Sequence, residues 1–98
     1  MSNNVKRAAK WDSSEFLESS DDIRAYLNAA VEEDDPALLY VALNNVARAK
    51  GMSQLARETG ISRDGLYKAL SADGNPSFAT VSRILRVLGL RFDVVGIE

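Results

Sequence analysis

The fold of this chain is decided by one stretch near its middle, which reads Met52-Ser53-Gln54-Leu55-Ala56-Arg57-Glu58-Thr59-Gly60-Ile61-Ser62-Arg63-Asp64-Gly65-Leu66-Tyr67-Lys68-Ala69-Leu70. The stretch predicts two short helices joined by a tight turn. Ser53 is suited to cap the first helix, Gly60 to end it in the left-handed conformation, and Ser62 to cap the second helix. With Ala56 placed four positions before Gly60, the two helices can cross closely, as a DNA-binding helix-turn-helix requires.

The second of these helices has an inward and an outward face. Helical spacing turns Leu66, Ala69 and Leu70 inward. The outward residues are Arg63, Asp64, Gly65, Tyr67 and Lys68. Two of them are cations, which favours DNA binding over the alternative of an ordinary helical hairpin. Glycine inside a helix costs about 1 kcal/mol relative to alanine, so Gly65 indicates either a close backbone approach to DNA or a tolerated weakness.

Composition places the chain among globular domains and argues against an enzyme. Its 98 residues are 46% hydrophobic and 27% charged, which fits one domain with a modest core. It has no cysteine and no histidine, so thiolate chemistry, the usual general base and the commonest metal ligand are missing. We therefore expect no catalytic site, no metal and no cofactor. No apolar run reaches membrane-spanning length and no signal-peptide pattern opens the chain, so a cytoplasmic protein is expected.

Charge is unevenly distributed along the chain. Residues 1–47 hold four Lys/Arg against nine Asp/Glu, and residues 48–98 hold eight against five, so the halves carry −5 and +3, which sum to the net −2. Salt screens charges separated by more than about 8–10 Å, so a basic half can attract phosphates despite the net charge. The acidic half indicates a second, basic partner.

Residues 1–19 are predicted to form a flexible tail and an N-terminal arm, and residues 20–98 the helical domain. The arm contains Trp11, Phe16 and Leu17. These three side chains are interpreted as a flap packed on the domain, as an anchor for a protein partner, or as both, because tryptophan is enriched in interfaces.

Two further helices are predicted before the central stretch. Ser20 is suited to begin the first, whose apolar face consists of Ile23, Tyr26, Leu27, Ala30 and Val31. Asp35 and Pro36 suit the N-cap and first position of the second. Its apolar face consists of Leu39, Ala42, Leu43, Val46 and Ala49, and Gly51 closes it. Between them, Glu32-Glu33-Asp34-Asp35 is interpreted as a solvated linker; a metal site is the weaker alternative.

A final helix and a short strand are predicted after the central stretch. Ser77 is suited to cap the helix and Gly89 to end it. Its apolar residues are Phe78, Val81, Ile84, Leu85 and Leu88. The segment Leu90-Arg91-Phe92-Asp93-Val94-Val95 alternates like a β-strand. A lone strand leaves its backbone unpaired, so we expect Leu90, Phe92 and Val94 to form a homodimer contact, with an intrachain N-terminal partner as the alternative.

Several short motifs are spread over nearly the whole chain beyond the tail. They are Trp11-Asp12 with Phe16-Leu17, Asp35-Pro36-Ala37-Leu38, Gly51-Met52-Ser53-Gln54-Leu55-Ala56-Arg57, Ser62-Arg63 with Leu66-Tyr67-Lys68-Ala69-Leu70, and Gly74-Asn75-Pro76-Ser77-Phe78 with Thr80-Val81. Taken together they resemble the five-helix helix-turn-helix domain of lambda-repressor-like (XRE/Cro-type) regulators. The resemblance is closer still to the small HigA-like antitoxins, the addiction-module antidote proteins.

The resemblance implies a homodimeric antitoxin of a type II toxin-antitoxin system. Such a protein represses transcription of its own operon and neutralises a small basic toxin of the RelE/ParE group, and it is not an enzyme. The alternatives are a stand-alone repressor without a toxin and an interaction module that does not touch DNA. One departure concerns Gln54. In the wider superfamily a phosphate-contacting glutamine stands two residues further from the leucine-alanine pair, which Gln54 here directly precedes.

The DNA contacts follow from the predicted second helix of the central stretch lying in the major groove. Arg63 is placed to read guanine O6 and N7, and Asp64 to accept from a cytosine amino group or to orient Arg63. The residues predicted to contact DNA are Ser53, Gln54, Ser62, Arg63, Asp64, Tyr67, Lys68, Asn75, Ser77 and Thr80. A dimer should prefer an inverted repeat with half-site centres about 34–36 Å apart.

Overall fold

The computed structural model describes residues 19–97, and these fold into α-helices joined by short turns. The helices are α1 (Ser20–Glu32), α2 (Pro36–Lys50), α3 (Met52–Thr59), α4 (Arg63–Ala69) and α5 (Phe78–Val87). The predicted all-α class is therefore confirmed for this part of the chain. The arm residues Trp11, Phe16 and Leu17 lie outside the described residues.

The core is built around α2, which packs against α1, α3 and α4, while α3 also packs against α4 and α5. Leu43, Val46, Leu66 and Ile84 are fully buried where these helices meet. The inward faces follow the predicted spacing with two exceptions. The side chain of Val31 is 50% exposed and that of Phe78 is 70% exposed, because each lies at a helix end, beyond the neighbouring helices that cover the core.

Most helix starts are held by a side-chain cap. The Ser19 hydroxyl accepts a hydrogen bond from the Asp22 N–H (3.1 Å), so α1 is capped one residue earlier than predicted. The Asp35 carboxylate accepts from the Ala37 N–H (3.1 Å), as expected from the Asp-Pro pair. Ser62 and Ser77 cap α4 and α5 as predicted. These caps satisfy backbone donors that have no partner inside the helix.

The predicted cap at Ser53 is wrong. Gly51 ends α2 and is also the N-cap residue of α3, with φ of 105°, and within residues 19–97 no side chain caps the first turn of α3. The Leu55 N–H donates to the Gly51 carbonyl (3.0 Å), so the helix begins at Met52 and Ser53 lies inside its first turn. Glycine permits this direct junction of two helices because it tolerates the positive φ.

The β-strand predicted over residues 90–95 is also wrong, since no strand occurs among residues 19–97. Gly89, with φ of 82°, donates to the Arg86 carbonyl (2.9 Å), and Leu90 donates to the Leu85 carbonyl (2.8 Å). This pair of bonds forms a Schellman motif, which ends α5 and turns the chain back.

The alternating apolar residues after Gly89 pack against their own chain instead of forming part of a β-sheet. Leu90 packs against the core, and the Phe92 ring stacks on Phe78 at the start of α5, with ring centroids 5.3 Å apart. The segment therefore returns along its own helix. In the described part of the chain no second strand is present to bond its backbone, which is why alternation alone did not produce a strand.

Candidate nucleic-acid interface

The turn between α3 and α4 is fixed by two adjacent residues. Gly60 adopts the left-handed conformation predicted for it (φ 79°, ψ 12°), and its N–H donates to the Ala56 carbonyl (2.9 Å). The buried Thr59 hydroxyl donates to the Leu55 carbonyl (2.8 Å) and accepts from the Ile61 N–H (3.2 Å). Thr59 thus supports the turn from inside. Helical spacing does not single out this residue, although a threonine just before a helix-ending glycine is a usable sequence signal.

A second support for the same turn comes from α5. The Arg83 guanidinium donates from Nη1 to the Thr59 carbonyl at 3.5 Å. The carbonyls in the last turn of a helix lack intrahelical partners, and a cation there also suits the helix dipole. Arg83 therefore ties α5 to the C-terminus of α3, a long-range contact that sequence spacing does not predict.

Helix α4 is anchored by its inward side and leaves its outward side exposed. Leu66 and Leu70 are buried in the core. Arg63, Asp64, Tyr67 and Lys68 are all exposed, as predicted. The structure therefore brings these four side chains together on one helix face, at the surface of the molecule.

Arg63 and Tyr67 contact one another one helical turn apart. The guanidinium carbon of Arg63 lies 5.6 Å from the centroid of the Tyr67 ring, within range of a cation–π interaction. The one ion pair in the described part of the chain joins Arg24 to Asp21, so Asp64 does not hold Arg63 by charge. Tyr67 thus positions a guanidinium at the outer face of α4, and among residues 19–97 no salt bridge holds it.

Gly65 is explained by packing inside the chain. A Cβ atom at this position would lie 3.0 Å from Ser62 Oγ and 3.2 Å from Ile61 Cγ2. The same Ser62 Oγ accepts the capping hydrogen bond from the Gly65 N–H (2.9 Å). Gly65 therefore allows the cap and the turn residue to close tightly on the first turn of α4.

The loop after α4 brings one more predicted residue to this surface. Gly74 lies against the C-terminal carbonyls of α4, since a Cβ on it would lie only 2.7 Å from the Lys68 carbonyl oxygen and closer still to that of Ala69. Asn75, the next residue, is exposed. It is therefore placed beside the end of α4 that carries Lys68.

The remaining predicted contacts lie at the starts of the neighbouring helices. The Ser77 hydroxyl accepts from the Thr80 N–H and donates to Thr80 Oγ1, both at 3.0 Å, so it is committed to capping α5. Ser53 is exposed in the first turn of α3. Gln54 donates from Nε2 to Glu58 Oε2 at 3.1 Å, along the same helix. Among residues 19–97 no hydrogen bond joins these residues to α4.

The residues predicted to form a dimer contact have unequal exposure. Leu90 and Phe92 are partly covered by their own chain, through the core and the Phe78 ring. Val94 is 95% exposed.

The helices of residues 19–97 include none that is long and apolar enough to cross a membrane. The same residues contain no group of three His, Cys, Asp or Glu side chains suited to a metal ion.

Comparison with known proteins assigns a family. Residues 7–96 match the family described as "Probable addiction module antidote protein". Over 84 residues the chain is 51% identical to an uncharacterized protein of Haemophilus influenzae (strain ATCC 51907 / DSM 11121 / KW20 / Rd). That alignment covers 86% of this chain and 87% of the relative. No solved structure matches the chain.

Proposed function

This chain belongs to the family of probable addiction module antidote proteins, and we propose that it neutralises a RelE/ParE-like toxin and represses its own operon by binding operator DNA. Family membership supports an antitoxin role and a toxin partner of some kind. The observation that carries the DNA-binding part is the α3–turn–α4 unit, which exposes Arg63, Tyr67 and Lys68 on one side of a short, firmly anchored helix.

In this proposal α4 lies in the major groove. The groove is about 12 Å wide and admits one helix. Arg63 is in the first turn and Lys68 in the last turn of α4, so their charges span the helix. Arg63 would donate to guanine O6 and N7 through its planar fork, which Tyr67 holds in place. Lys68 would contact a base edge or a phosphate.

Phosphate contacts are supported by the uncapped start of α3. The first N–H groups of a helix lack intrahelical partners and favour anions. Those of α1, α2, α4 and α5 each have a side-chain cap, whereas no side chain of the described residues caps α3. Ser53 lies in this first turn and adds a hydroxyl donor. Gln54 is turned toward Glu58, so we assign it a smaller part.

We propose that two copies bind an inverted-repeat operator, with half-site centres about 34–36 Å apart. The support is the exposed apolar end of the described chain, where Val94 and Val95 are 95% and 73% exposed. Side chains of this kind gain from burial against a second copy. In this proposal the protein acts in the cytoplasm by binding DNA and toxin, and it performs no catalysis.

The test is co-expression of this chain with the neighbouring reading frame, followed by co-purification and a gel shift on the shared promoter. We expect the neighbouring protein to co-purify. We also expect promoter affinity to fall roughly tenfold or more between 50 and 200 mM salt, because binding to several phosphates releases counterions. Promoter binding without a co-purifying toxin would indicate a stand-alone repressor. A toxin complex that shows no DNA binding would contradict the repressor role.

A further inference from the structure

Three apolar side chains are exposed where α1 and α2 meet at their shared turn. Val31 is 50% exposed, Leu38 43% and Val41 38%. We call these three residues the hairpin patch. Leu38 and Val41 are three positions apart on α2 and therefore lie on one face of that helix. None of the contacts proposed for DNA binding involves them.

The turn places the three residues at the same end of the hairpin. The Asp34 N–H donates to the Val31 carbonyl (3.0 Å), and the Leu38 N–H donates to the Asp35 carbonyl (3.0 Å). Val31 is thus in the last turn of α1 and Leu38 in the first turn of α2, joined by a turn of three residues. We call this end of the hairpin the tip, and the hairpin patch is its apolar part.

An acidic rim adjoins the hairpin patch. It consists of Glu32, Glu33, Asp34 and Asp35, all exposed. The single ion pair in residues 19–97, between Arg24 and Asp21, involves none of them. Their mutual repulsion is therefore not relieved within the described chain, and a basic partner would relieve it.

We propose that the hairpin patch and its acidic rim form the docking surface for the small basic toxin. This inference rests on the proposed function, since it names the surface that the toxin would occupy. The rim argues against a second copy of the chain as the occupant. A two-fold dimer through this surface would place each acidic rim near its own copy, where like charges repel. A cationic protein with apolar side chains at its contact suits both features.

The hairpin patch lies away from the proposed DNA-binding unit and does not overlap it. The tip is at the N-terminus of α2, whereas α3 begins just after the C-terminus of α2. At 1.5 Å per residue, the 15 residues of α2 separate the two ends by roughly 20 Å. A toxin docked at the tip therefore binds without displacing α4 from DNA, and a complex of DNA, antitoxin and toxin forms.

Two double variants of the full chain test the surface, with the protein encoded by the neighbouring reading frame as the probe. Leu38→Ala/Val41→Ala removes apolar contact, and Glu32→Gln/Glu33→Gln removes two charges. We expect each to weaken toxin binding about tenfold or more in calorimetry, since centrally placed contacts dominate interfaces. At 150 mM salt promoter affinity should stay within about twofold of wild type, and the wild-type complex should retard promoter DNA further than the antitoxin alone.

Matched controls separate docking from folding and from net charge. Leu39→Ala removes a neighbouring leucine that packs on the core, so it should lower thermal stability and leave toxin affinity near wild type. Asp21→Asn/Asp22→Asn removes two charges at the other end of α1 and should also leave toxin affinity near wild type.

The outcomes distinguish the two proposals. If the wild-type chain does not bind the neighbouring protein, the toxin part of the proposed function fails. If wild type binds and both double variants bind equally well, the docking surface is wrong. A loss of self-association on Leu38→Ala/Val41→Ala, seen by sedimentation, would show that the patch contacts a second copy and would also overturn it.

Discussion

Two glycines next to α4 are required for different physical reasons. At Gly60 the backbone requires a positive φ, which Cβ-bearing residues adopt at a cost. At Gly74 the φ is ordinary and the cause is space, because the loop backbone lies directly against the last carbonyls of α4. The first cause can be read from position at a helix end. The second depends on how the loop folds back.

Replacing Gly74 with alanine should destabilise the protein by about 1–3 kcal/mol, the usual cost of forcing atoms into a filled site. The new Cβ would lie too close to the carbonyls of Lys68 and Ala69, so the end of α4 must shift. Thermal unfolding measures the loss. Gly96→Ala is the control, because a Cβ at Gly96 meets no atom within 4 Å. Equal melting temperatures for the two variants would contradict the packing explanation.

Replacing Arg63 with alanine should weaken operator binding by about 1–3 kcal/mol and relax the preference at one base pair. The guanidinium is exposed on α4 and lies over the Tyr67 ring, so thermal stability should change little. Gel-shift titration on the promoter and on single-base variants measures both effects. Arg24→Ala removes an equal charge from α1 and should leave affinity near wild type. Unchanged operator affinity for the Arg63 variant would remove this residue from the proposed interface.

At the scale of elements, the C-terminal segment shows that alternating apolar and polar residues do not always form a β-strand. Leu90 and Phe92 alternate with polar residues, as in a strand with one buried face. The Schellman motif at Gly89 instead turns the segment back, and Phe92 reaches Phe78 at the start of α5. The alternation thus buries one side of an irregular segment against a helix.

Removing the Phe92 ring should lower the free energy of unfolding by at least about 1 kcal/mol, since an aromatic pair contributes beyond the area that it buries. Phe92→Ala also leaves the exposed Phe78 ring without its stacking partner. Chemical denaturation followed by circular dichroism measures the change. Ile97→Ala, at a residue that is 94% exposed, should stay within about 0.5 kcal/mol of wild type. A Phe92 variant as stable as wild type would show that the segment does not hold α5.

At the scale of the whole molecule, α2 separates two surfaces of opposite charge. The acidic rim lies at its N-terminus, whereas α3 and then α4, which carries Arg63 and Lys68, follow its C-terminus along the chain. The separation of roughly 20 Å along α2 exceeds the Debye length of about 8 Å at physiological salt. Salt therefore largely screens the four carboxylates of the acidic rim from Arg63 and Lys68, and a negative net charge is compatible with DNA binding.

This separation predicts that the acidic rim affects operator affinity only at low salt concentration. Glu32→Gln/Glu33→Gln should leave operator affinity within about twofold at 150 mM salt and raise it at 10 mM salt, where the Debye length grows to about 30 Å. Asp64→Asn, on α4 itself, should change affinity at both salt concentrations. Fluorescence anisotropy with labelled promoter DNA measures both. A large effect of the rim variant at 150 mM salt would place the acidic rim close to DNA.

The sequence alone determined the features that depend on a few neighbouring residues. The caps at Asp35, Ser62 and Ser77 and the left-handed Gly60 are confirmed, because a cap needs only an acceptor two or three residues before an unpaired N–H. The outward face of α4 is likewise exposed, since helical spacing sets it. The DNA contacts predicted for Arg63, Lys68 and the other residues of the proposed interface stay predictions.

Only the tertiary structure decided the features that depend on distant residues. The Phe92 ring stacks on Phe78, and Arg83 donates to the carbonyl of Thr59, 24 positions away. Val31 is exposed although its helical spacing predicts burial. The physical reason is that local periodicity shows which side of a segment prefers burial, while the neighbouring elements determine what covers that side.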